Sequence, residues 1–272
     1  MGYETLTETE WEAVDRIWEL LEETQVERAR LELETLQRNR PRHPDLKIVE
    51  AAIALDEGEP RAALEALRGA ERSADPALFF HLRAVSQYEL AGFEQARDDA
   101  ERALAIRPDV PETHDLLSRA LDHLGDLDGS REHAEEAQRL DSESFPGPLE
   151  VEVEEFDALV QKSLAELPEE VRRHLAELPV VVERLPQREF LIAEEPPLSP
   201  DILGLFVGTH LRERSHVDPA RAPGAIFLFR HNLLRVSSDV EELEREIRTT
   251  VQHEVGHLLG LDEDDLDRWG LA

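Results

Sequence analysis

The chain has 272 residues, with 62 acidic against 30 basic side chains and a formal charge of -32 at pH 7. A field of that sign repels phosphate backbones and anionic headgroups, so neither nucleic acid nor a membrane surface is expected as a main ligand. Cysteine is absent, which excludes disulfides and cysteine-ligated metal; with no leader-like start and no apolar run long enough to span a bilayer, the expected location is the cytoplasm.

The N-terminal half repeats. Ala77–Val110 aligns with Pro111–Ser144 at a spacing of 34 residues, pairing Ala84 with Ser118, Ala96 with Ser130, Ala100 with Ala134 and Ala103 with Ala137. These are sites where two helices approach closely and a larger side chain would hold them apart. Ala51, Gly58, Ala63 and Ala70 repeat the template upstream at a spacing of 33. A weaker fourth copy keeps Ala29, Leu33, Leu36 and Pro41 but has no small residue at its turn. From about Trp11 to Ser144 the pattern resembles the tetratricopeptide repeat (TPR). That resemblance implies an all-α solenoid over residues 1–144, of about four helix–turn–helix units, with a concave groove for a protein or peptide partner. His81, His114, His123 and His133 are expected to be solvated or groove-lining, since no pair has a carboxylate at ligand spacing with an apolar flank.

Ser142 to Pro148 gathers turn formers and helix breakers, which places a linker over 145–152 and a second domain over 153–272. Phe156, Leu159, Val160, Leu164 and Leu167 recur at helical spacing, and Pro168-Glu169-Glu170 begins a second helix that runs to about Leu178. Val180–Val182 reads as a strand, Leu205–Val207 as a shorter one, and the unbroken Ala225–Phe229 run as a strand buried on both faces. The last helix is the clearest element. Ser237, Ser238 and Asp239 offer caps, and Leu243, Ile247, Val251, Val255 and Leu258 form one apolar stripe down to Gly260.

That helix carries His253-Glu254-Val255-Gly256-His257, an HExxH pattern whose four-residue spacing puts both imidazoles on one face, one turn apart. Two neutral imidazoles suit two corners of a tetrahedral zinc ion, with Glu254 in reach of a water at an open corner. In that arrangement Glu254 takes the proton of the water and returns it to a leaving amine, which is peptide-bond hydrolysis. Only 15 residues follow His257, too few for a ligand on a further long helix, and no third histidine follows. A carboxylate is therefore expected as third ligand: Glu263, with Asp262 and Asp264 as alternatives. For the oxyanion donor the candidates are His231, Arg230, His210 and His216.

Glu154–Leu178, Leu203–Gly208, Ile226–Arg230 and the HEVGHLLGLDEDDL segment together resemble the minimal zincin-like metallopeptidases, a family of small bacterial proteins. The resemblance implies an α+β zincin-like domain with a small mixed sheet and one Zn2+ per chain. In that family the two motif histidines and a downstream acid bind the metal, and the motif glutamate is the general base. Glu263 departs from the aspartate that an HExxHxxGxxD pattern would place there. The chain is thus expected to be a zinc metallopeptidase whose repeats dock a partner. The competing expectation is a repeat scaffold whose metal-binding domain is latent or inactive.

Overall fold

Proline sets the phase of the first half. Pro44, Pro60, Pro76 and Pro111 each stand in the first turn of a helix, where the missing N–H is not needed and the fixed φ is already helical. The computed structural model describes residues 4–175, 178–193, 195–208 and 224–260. Over the first half it forms α1 (Glu8–Glu22), α2 (Val26–Asn39), α3 (Pro44–Asp56), α4 (Pro60–Leu67), α5 (Pro76–Glu89), α6 (Phe93–Ile106), α7 (Pro111–Leu124) and α8 (Leu127–Leu140). Helices pair in sequence order, as expected of a TPR array. Ala84, Ala96 and Ala100 are fully buried where α5 meets α6. In the next pair the counterparts of Ala84 and Ala96 are serines, and the buried Ser118 and Ser130 hydroxyls meet at 3.1 Å.

The turn inside each pair has one recurring need. Thr24, Gly58, Ala91 and Gly125 all have positive φ, between 54° and 81°. Glycine adopts that left-handed conformation without a steric penalty. The first copy, which has threonine there, makes the same turn regardless. Of the four histidines expected to be solvated or groove-lining, His114 is the one that is not solvated. His114 is buried, its Nε2 is 3.0 Å from the Pro108 carbonyl and its Nδ1 is 2.9 Å from Nδ1 of His133. A carbonyl only accepts, so His114 donates from Nε2, and its Nδ1 accepts from the Nδ1–H of neutral His133.

The chain divides into two compact units, Met1–Phe145 with Ile192–Ser199, and Pro146–Leu191 with Pro200–Ala272. In the second unit β3 (Ala225–Phe229) is central. It pairs parallel with β1 (Val180–Glu183), Val180 opposite Ile226, and antiparallel with β2 (Gly204–Val207), Gly204 opposite Leu228. The sheet order is therefore β1-β3-β2. Ile226 and Leu228 project into a core with Phe156 and Val160 of α9 (Val153–Glu166) and with Leu243, Ile247, Val251, Val255 and Leu258 of α13 (Val240–Leu259). α10 (Glu169–Leu175) follows α9.

β3 is not equally buried on both faces. Ala225 and Phe227 stay partly exposed, because the far face is met by the short α11 (Arg188–Leu191), whose Phe190 ring lies 4.9 Å from that of Phe227. The strand also ends one residue before Arg230, where α12 (Arg230–Val236) begins. No side chain caps α12, so no start signal announced it in the sequence. Its Asn232 donates to the carbonyls of Pro200 and Ile202, at 2.9 and 2.8 Å, which anchors the segment leading into β2. Among the described residues no helix is long and apolar enough to cross a membrane.

Candidate metal centre

The site is built on α13. Asp239 caps its start by accepting from the Glu242 N–H at 2.8 Å, and Glu242 reaches back to Ser238. Gly260 closes the helix at φ 76°, the left-handed conformation that ends helices. Between these caps the apolar stripe turns one face into the core. The next positions round the helix hold the motif residues.

His253 and His257 stand one turn apart with rings nearly perpendicular, at 85°, and their Nε2 atoms 3.0 Å from each other. Two nitrogens bound about 2.0–2.1 Å from one tetrahedral ion would be roughly 3.3 Å apart. The two nitrogens thus stand at nearly the separation that a shared ion requires. Both rings are partly exposed, which leaves a way in. Among the described residues no third His, Cys, Asp or Glu joins them in a metal-holding group. Glu263, Asp262 and Asp264 lie outside the described residues, as do His210 and His216.

Glu254 is buried, at 6% exposure, and its neighbour is one that the sequence did not single out as a functional residue. Gly204 opens β2 directly against α13. A Cβ built on Gly204 would lie 2.6 Å from Cγ2 of Thr250 and 3.2 Å from Oε1 of Glu254. The glycine therefore makes room for the carboxylate. The only sequence signal for it was its place in the Leu203–Gly208 segment. The Phe229 N–H donates to the Leu203 carbonyl at 2.9 Å. Alternation along an antiparallel pair then turns the main-chain N–H and C=O of Gly204 and Phe206 outward, away from β3. Among the described residues the motif helix is thus flanked by an edge strand of the sheet.

The two remaining candidates lie elsewhere on the unit. Arg230 donates to the Val151 carbonyl and rests over the Phe156 ring of α9 at 5.7 Å, and together with His231 it lines a groove between α9 and β1.

No curated protein matches the chain. Among solved structures, the MamA RS-1 ArsTM double mutant is 17% identical over 48% of this chain and 75% of its own, with a TM-score of 0.41. PilW, a widely conserved type IV pilus biogenesis factor, is 13% identical over 58% of this chain and 84% of its own, with a TM-score of 0.33. Residues 175–271, which include the histidine pair, Glu254 and Gly204, match the family of zincin-like metallopeptidases.

Proposed function

We propose that the C-terminal unit is a zinc metallopeptidase in which His253, His257 and Glu263 bind the metal and Glu254 is the general base. The observation that carries this reading is the closeness of the two imidazoles on a helix face that also brings a buried carboxylate against Gly204 of β2. Asp262 and Asp264 are the neighbouring alternatives to Glu263. When bound, one zinc ion per chain would supply a Lewis acid and a water acidified to a pKa of about 7. His253 and His257 fix its position through their Nε2 atoms. Glu254 would be the group that takes up a proton at its carboxylate and returns it to a leaving amine nitrogen. The outward N–H and C=O groups of Gly204 meet the main chain of an extended peptide, which brings it past α13. The repeat unit docks a protein or peptide partner, a role supported by the extended concave surface that stacked helix pairs present.

The test is metal content together with cleavage of a mixed peptide library, on the full-length chain and on Glu254→Gln at equal metal loading. One zinc per chain in both proteins is expected, with cleavage reduced at least about 100-fold in the variant. Zinc without cleavage by either protein would favour the latent scaffold, and no zinc would end the assignment.

A further inference from the structure

A second groove lies on the sheet edge opposite β2. It is a cavity of about 780 Å3 between β1 and α9, bounded at one end by the first residues of α12. Val153, Asp157 and Val160 share one face of α9 and form one wall, and Val180–Arg184 form the other. The Pro179 carbonyl accepts from the Ile226 N–H at 3.0 Å. Strand alternation therefore turns the main-chain N–H and C=O groups of Val180 and Val182 away from β3. Among the described residues no strand pairs with that edge.

Arg230 gives the groove a chemical direction. Its guanidinium holds the Val151 carbonyl and covers the Phe156 ring, yet its Nε is buried and has no hydrogen-bond partner among the described residues. The two acids lining the groove do not serve it as ion-pair partners. Glu183 accepts from Gln187 at 3.0 and 3.1 Å, and Asp157 is exposed on α9. Among the described residues no carboxylate pairs with this half-buried guanidinium, and a guanidinium fork suits an incoming one.

We infer that this groove is a second binding site, which takes the C-terminal end of an extended peptide. The peptide main chain pairs with Val180 and Val182, and its terminal carboxylate meets Arg230. Strand pairing provides affinity, the valine-lined walls select aliphatic side chains, and the guanidinium recognises the chain end. A free small anion would use Arg230 but leave the strand edge unpaired. The inference stands whether or not the histidine pair forms a working peptidase, since it involves neither α13 nor β2.

The experiment is fluorescence anisotropy with a labelled hexapeptide ending in three valines, as free acid and as C-terminal amide. It uses the full-length chain carrying Glu254→Gln, in EDTA, so that neither cleavage nor metal capture of the carboxylate contributes. Saturable binding of the acid is expected, with the amide weaker by at least about tenfold. Adding Arg230→Gln should abolish that difference, and N-methylation of alternate peptide nitrogens should weaken both forms. Equal binding of acid and amide, an acid preference that survives Arg230→Gln, or no saturable binding at all would overturn the inference. Circular dichroism checks the fold of the Arg230 variant. The acid–amide and N-methyl comparisons need no change at Arg230 and decide the matter if that variant does not fold.

Discussion

The repeat unit and the C-terminal unit build order from contacts of different range. In the repeats each helix packs on its neighbour in sequence, and the role of a residue can be read from a counterpart one repeat away. In the C-terminal unit the motif helix needs Gly204, which lies 50 residues before Glu254 and has no counterpart. Local repetition makes the first unit legible and replaceable part by part. The second depends on single contacts that nothing duplicates.

The largest effect should come from Gly204→Ala. The added methyl group would collide with Thr250 and crowd Glu254, at an overpacking cost of about 2 kcal/mol. If the proposed chemistry is right, displacement of the carboxylate should lower turnover by roughly 100-fold as well. Unchanged melting and unchanged turnover would show that the close approach of β2 to α13 is not needed.

Acid should separate the units next. Burial lowers the pKa of His81 from its ordinary 6.5, and burial followed by the neighbouring His114 lowers that of His133. The unfolded chain then takes up protons on these rings at a higher pH than the folded chain does. The associated stability is complete above about pH 6.5 and is lost as pH falls below it through the lowered values. Amide exchange, corrected for its intrinsic pH dependence, should show protection in α5, α7 and α8 falling between pH 7 and 5. Constant protection would sink this expectation.

A smaller effect tests the repetition itself. Ser118→Ala should cost about 1 kcal/mol by leaving the buried Ser130 hydroxyl without its partner, whereas Ser118→Ala with Ser130→Ala should be nearly neutral. The double variant reproduces the alanine pair already present at Ala84 and Ala96. A denaturant-melt cycle in which the two losses simply add would mean that the hydroxyls do not act as a pair. The smallest expected change is a gain. Thr24→Gly should relieve the left-handed turn at φ 57° and stabilise the chain by about 0.5 kcal/mol, net of the greater freedom of glycine when unfolded. A drop in melting temperature would show that the threonine side chain matters more than its backbone strain.

What could be read from the sequence alone was whatever repeats or recurs within a few residues. The 34-residue alignment located the helix pairs, the apolar stripe located α13, and the four-residue spacing placed His253 and His257 on one face. α12 escaped because its start carries no capping side chain, and the burial of β3 was overread because a run of apolar residues does not say how well each face is covered. Sequence also paired Ser118 with Ala84 and Ser130 with Ala96, but only packing made the two hydroxyls partners. The strand order β1-β3-β2, the fit of Gly204 against Glu254 and the groove headed by Arg230 were decided by tertiary structure. Strand pairing joins segments far apart in the chain, and the pattern within one strand does not specify which neighbour it meets, on which edge, or in what register.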